Sequence, residues 1–61
     1  MEVRVKKNGD GVIVYKELID SSYGALTELR KQYEDMGFRA WINQWSFSKW
    51  VLTVYPYKNG N

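Results

Sequence analysis

Hydrophobic and polar residues alternate near the start of the chain in the pattern of a half-buried β-strand. Val3 and Val5 alternate with charged residues, and 12–15 form a second, largely β-branched run. The runs are joined by Asn8-Gly9-Asp10-Gly11, whose Asn-Gly and Asp-Gly pairs favour a type I′ turn, because both central residues of that turn need positive φ. The pattern predicts a β-hairpin over residues 3–16.

The loop length of this hairpin decides which side chains face the core, because a shift of one residue turns the strand over. A two- or four-residue loop gathers four valines on the core side, whereas a three-residue loop pairs Val3 and Val5 with Ile13 and Tyr15. We favour the first register, since it buries more β-branched residues. The core side then carries Val3, Val5, Val12 and Val14, and the other side carries Arg4, Lys6, Ile13 and Tyr15.

A helix is predicted over residues 21–36. Asp20-Ser21-Ser22 offers side-chain acceptors for the first free amides, and Gly37 stands where a left-handed C-cap belongs. Between these signals, apolar residues recur at spacings of three and four, as on one face of an amphipathic helix. Gly24 has a low helix propensity, and we expect it to let the helix approach the sheet closely. The apolar stripe consists of Tyr23, Leu26, Leu29, Tyr33 and Met36.

Alternation returns over residues 38–57 and predicts a second hairpin, with 58–61 as a frayed tail. Pro56 cannot donate to a ladder and therefore ends a strand or lies at an edge. If Ile42 pairs with Leu52, one face holds Phe38, Ala40, Ile42, Trp50, Leu52 and Val54, and the other holds Arg39, Trp41, Asn43, Trp45, Lys49, Val51, Thr53 and Tyr55.

These elements predict a single α+β domain over residues 1–61 in the order β-β-α-β-β. One helix packs on one face of a four-stranded, mostly antiparallel sheet. We call the other sheet face the open face, because one helix covers only one side of a sheet.

Composition narrows the possible functions. The 61 residues include no cysteine and no histidine, so disulfides, thiolate ligands and the commonest general base are excluded. Ser46 and Ser48 beside Lys49 are too common a surface combination to indicate a nucleophile. We therefore expect no catalytic residues, no metal and no cofactor, and a protein that is not an enzyme.

Charge is unevenly distributed but modest overall. The formal net charge is +2, with an acidic helix region between basic flanks. This value does not require a nucleic-acid or membrane partner. Positions 1–20 lack the apolar segment of a signal peptide, and with the absence of cysteine this leads us to expect a cytoplasmic protein with no membrane association.

The open face is the candidate binding surface. Exposed apolar patches commonly mark interaction sites, and Trp, Tyr and Arg are enriched at binding hot spots. The candidate residues are Arg39, Trp41, Trp45, Lys49 and Tyr55, with Arg4 and Tyr15 alongside.

Several interpretations of this face compete. Cross-strand aromatic pairs stabilise a small sheet even without a partner. Our first functional hypothesis is a small protein-binding domain; from its size alone we expect a phage or mobile-element product that docks on a host protein and inhibits or redirects it. The alternative is single-stranded nucleic-acid binding, with Trp41 and Trp45 as stacking platforms. A further alternative is a homodimer whose sheet faces pack together.

Overall fold

The computed structural model describes residues 1–58, and their side chains as far as Pro56. It confirms an α+β fold in the order β-β-α-β-β, with one open sheet in which all neighbouring strands are antiparallel. The strand order is β1-β2-β4-β3, so β1 and β3 are the edge strands. The elements are β1 (Glu2–Lys7), β2 (Ile13–Asp20), α1 (Tyr23–Asp35), β3 (Phe38–Ser46) and β4 (Lys49–Lys58).

The signals at both ends of α1 act as the sequence indicates, although the helix is shorter than predicted. Ser22 is the N-cap, and its Oγ accepts a hydrogen bond from the Ala25 amide at 3.2 Å. The Asp20 carboxylate accepts one from the Ser22 amide at 2.8 Å, so Asp20 fixes the turn that precedes the helix. At the other end Gly37 has a φ of 91°, the left-handed conformation that glycine adopts without strain.

The second hairpin has the predicted register. Ile42 pairs with Leu52, and β3 and β4 therefore present their apolar residues to the helix. The core consists of Leu18, Leu26, Ala40, Leu52 and Val54. Leu29 and Tyr33 of α1 pack against it, whereas Tyr23 and Met36, at the ends of the predicted stripe, stay more than half exposed.

The turn of the first hairpin is not type I′, and that prediction was wrong. The Gly11 amide donates to the Asn8 carbonyl at 3.0 Å, and the Asn8 amide donates to the Val12 carbonyl at 2.9 Å. These bonds close a three-residue loop in which Gly11 alone has a positive φ, of 77°. The Asn8 side-chain oxygen also accepts from the amides of Asp10 and Val12, which holds the turn in this form.

The register of the first hairpin was also predicted wrongly. Lys7 pairs with Ile13, as a three-residue loop requires, but a bulge at Val14 then shifts the ladder so that Lys6 pairs with Tyr15. Ile13 consequently lies on the helix side and not on the open face, whereas Arg4, Lys6 and Tyr15 do lie on the open face. The valines expected to face the core are all exposed: Val3, Val5, Val12 and Val14.

Strand β2 continues to Asp20, four residues beyond the predicted end of the hairpin at 16. The extension includes Leu18 and Ile19, which are buried but were assigned to no predicted element. The structure differs from two further expectations. A Cβ added at Gly24 would meet nothing within 4 Å, so this glycine does not serve close packing. Lys58 belongs to β4, and the remaining predicted tail lies outside the described residues.

Candidate functional site

The strand pairing brings all seven candidate residues to one side of the sheet. Lys6 pairs with Tyr15, Arg4 with Glu17, and Arg39 with Tyr55, so these side chains share the open face. Trp45 lies at a register shift near the end of β3 and contacts Arg4 on that face. Lys49 lines a shallow depression with Glu2 and Ile19 at the end of the same face.

An aromatic row crosses three strands of the open face. The ring centroids of Tyr15 and Tyr55 are 6.0 Å apart with the planes tilted by 55°. The rings of Tyr55 and Trp41 are 5.3 Å apart in an edge-to-face arrangement, at 87°. Such pairs contribute about 0.5–1.5 kcal/mol each beyond the area they bury. The row therefore fixes the ring orientations and joins β2, β4 and β3 on the side away from the helix.

A second contact spans the whole width of the sheet. The Arg4 guanidinium lies 5.5 Å from the centre of the Trp45 ring, although β1 and β3 are opposite edges. Arg4 Nε and Glu2 Oε2 form a salt bridge at 2.9 Å, which holds the guanidinium from its own strand. Two side chains that meet in this way must pass above the inner strands β2 and β4.

The inner strands carry a buried pair on the open face. Ile19 and Val51 pair directly, and their exposed fractions are 2% and 5%, although α1 packs on the opposite face. Because α1 lies on the opposite face, side chains of the open face must cover this pair, and Glu2 and Lys49 border a depression that Ile19 lines. The open face is thus partly covered by its own side chains, as expected where cross-strand packing stabilises a small sheet.

The apolar surface that remains exposed on this part of the molecule is concentrated on β3 and in the turn that follows it. Trp41 and Trp45 retain 45% and 42% of their accessible surface, and Phe47, in the turn between β3 and β4, is fully exposed. Phe47 was not among the predicted site residues, since a phenylalanine within Ser-Phe-Ser has no periodic signal. The hairpin register, which places position 47 in the turn, was the signal that could have identified it.

The charges on the open face are mixed. Arg4, Lys6, Arg39 and Lys49 supply four cations, and Glu2 and Glu17 supply two carboxylates among them. Glu17 lies on an inner strand, paired with Arg4 on one side and Thr53 on the other. The face is therefore weakly basic, with acidic groups in the path between its cations.

Within 1–58, no three acidic side chains come together in a way that could hold a metal ion. Over the same residues, no helix has the length and apolar character needed to cross a membrane.

Comparison of the chain with known protein families, with curated proteins and with solved structures found no match. The class defined by the fold is that of a small α+β protein with a single helix on an open four-stranded antiparallel sheet.

Proposed function

We propose that this protein is a non-enzymatic protein-binding domain whose contact surface is an aromatic ridge formed by Trp41, Trp45 and Phe47. The observation that carries the proposal is the exposure of three large aromatic side chains on one edge strand and its turn. Burying such rings is among the most favourable contributions to a protein interface. Arg39 and Lys49 flank the ridge and give it a basic rim.

The aromatic contacts favour a protein partner over single-stranded nucleic acid. A stacking platform needs a free ring face, but the Trp45 ring carries the Arg4 guanidinium and the Trp41 ring is held edge-to-face by Tyr55. A phosphate chain that followed the cations would also pass Glu2 and Glu17. A preorganised ridge with mixed charge suits a protein surface better.

The charge of the open face favours a different protein over a second copy. Packing two open faces together would bring like surfaces with an excess of cations against each other, which is unfavourable in a closed interface. A partner with a neutral or acidic surface and an apolar pocket for Phe47 avoids this repulsion. Occupying such a surface would modulate the partner without any chemical step.

The experiment compares affinity capture by the wild-type chain with capture by a Trp41→Ser/Phe47→Ser variant. The control is Val12→Ser, which removes an exposed apolar side chain from the other hairpin. We expect a protein that is retained by the wild type and the control, lost with the aromatic variant, and little affected by salt. Equal capture by all three proteins would contradict the proposal.

Sedimentation of the pure protein tests the alternatives. Co-sedimentation with a labelled single-stranded oligonucleotide that weakens steeply with salt would identify a nucleic-acid binder. A concentration-dependent dimer that Phe47→Ser abolishes would instead assign the ridge to self-association.

A further inference from the structure

The helix side of the sheet is only half covered. Leu18 of β2 is 5% exposed, whereas Val3, its direct partner on β1, is 52% exposed. Helix α1 packs on β3, β4 and β2, and a helix about 10 Å across cannot cover four strands spaced about 4.8 Å apart. An apolar strip is left beside α1. We call it the valine trough, and it consists of Val3, Val5 and Ile13.

The trough continues into an apolar groove between the sheet and α1. The groove has a volume of about 160 Å³ and shares Ile13 with the trough. The Lys16 ammonium donates a hydrogen bond to the Tyr33 hydroxyl at 3.0 Å and so stands at the rim of the groove. The groove lining is Ile13, Lys16, Tyr33, Phe38, Val54 and Pro56.

The charge around the trough is basic. Lys7 pairs with Ile13 and Lys16 pairs with Val5, so both lysines extend from the strands that form the trough. Asp20, the carboxylate that β2 carries on this side, accepts from the Ser22 amide and lies 3.7 Å from the terminal ammonium. A bound segment with acidic residues beside its apolar stripe would complement this arrangement.

We propose that the valine trough binds an amphipathic α-helix of a partner protein, with an acidic flank facing Lys7 and Lys16. A large apolar side chain of that helix enters the groove beside Tyr33. Helix α1 lies along one side of the trough. A second helix bound beside it would complete the helical layer on this face of the sheet, as in other helix-in-groove recognition. This surface lies on the opposite sheet face from the aromatic ridge and does not depend on it.

Two other occupants fit less well. A strand added to the edge of β1 would lie in the plane of the sheet and leave the valines uncovered. A second copy has no free apolar helix face to offer, because the apolar stripe of its α1 is already packed in its core. The side of α1 that remains exposed is polar and includes Glu28, Lys31, Gln32 and Asp35.

The first test uses a labelled, designed helical peptide of roughly four turns, about 15 residues at 3.6 residues per turn. Its leucines follow spacings of three and four, and its flanks carry glutamates. Fluorescence anisotropy measures its binding to the full chain. A shuffled peptide without the stripe and a peptide with lysines in place of glutamates are the controls.

Saturable binding of the acidic peptide, at least about tenfold tighter than either control, supports the proposal, since tenfold is about 1.4 kcal/mol. Equal binding of the three peptides, or none at about 1 mM, overturns it, because that affinity is the weak limit of specific recognition.

Matched variants locate the contact. Val5→Glu should weaken binding by about tenfold or more, whereas Val12→Glu, the same change in the exposed turn, should leave it within about twofold. Lys7→Glu should weaken binding more than Lys31→Glu, which changes the net charge equally but lies on the exposed side of α1. Val5→Glu binding like the wild type would refute the assignment.

Amide chemical-shift mapping uses the wild-type chain, so its result does not depend on whether the variants fold. Perturbations centred on β1, Ile13 and Lys16 are expected; perturbations centred on β3 would overturn the proposal. A dimer that forms on concentration and is lost with Val5→Glu would mean that the trough is filled by a second copy, against the proposal. The Trp41→Ser/Phe47→Ser variant should bind the peptide normally, so failure of either proposed surface is distinguishable from failure of the other.

Discussion

Replacing Ile19 by alanine tests whether the open face contains a second packed layer. Ile19 points away from α1, so on a bare sheet face its truncation would cost little. In the structure it is 2% exposed and pairs with the equally buried Val51. The change removes about three carbon groups at roughly 0.8 kcal/mol each, and a cavity term raises the expected cost to about 2–5 kcal/mol.

That cost is large for a chain of this length. At about 0.05–0.15 kcal/mol per residue, 61 residues give a total stability of roughly 3–9 kcal/mol. Urea unfolding followed by far-UV circular dichroism measures the change. Ile19→Val, with an expected loss of about 0.5–1.5 kcal/mol, keeps the measurement possible if the alanine variant does not fold.

The matched control is Val14→Ala, on the same strand but 39% exposed at the bulge. Its loss should stay well below that of Ile19→Ala. If the two variants lose equal stability, or if Ile19→Val is neutral, then Ile19 is not packed on the open face in solution.

Two further predictions concern helix α1 and are checked by the same unfolding measurement. Gly24→Ala should stabilise the protein by about 0.5–1 kcal/mol, because a Cβ there meets nothing within 4 Å and alanine has the higher helix propensity. Gly37→Ala should destabilise it by about 1 kcal/mol or more, because φ is 91° at that position. A change of the same sign in both variants would contradict the assigned cap. Ser22→Ala should cost about 1 kcal/mol through loss of the bond to the Ala25 amide, and Ser21→Ala, one residue away, is the control expected to change little.

The second half of the fold was predictable because its signals are redundant. The alternation in β3 and β4, the stripe of α1 and Gly37 all specify the same faces, and the pairing of Ile42 with Leu52 follows from them. The positions of Trp41 and Tyr55 on the open face were fixed by the same alternation.

The register of the first hairpin was not predictable, because two irregularities follow each other along the chain: a three-residue loop and a bulge at Val14. Asn8 and Gly11 suit a type I turn within a three-residue loop, but the Asn-Gly and Asp-Gly pairs signal a type I′ turn more strongly. The bulge at Val14 then reverses the alternation of β2. A period-two pattern cannot reveal an inserted residue. The burial of Ile19 was not predicted for a related reason. Asp20 indicates the start of a helix, and this signal conceals that β2 continues as far as Asp20.

The two irregularities also determine where apolar surface stays exposed. The bulge at Val14 separates Ile13 from the regular alternation of Tyr15 to Asp20, so without it Ile13 would lie on the open face beside Tyr15. The bulge therefore places Ile13 with Val3 and Val5 on the helix side, where α1 leaves the edge of the sheet uncovered. The aromatic ridge and the valine trough end up on different edges and different faces of one sheet. Because neither proposed surface shares a residue with the other, the two proposals stand independently, and a variant that removes one surface leaves the other intact.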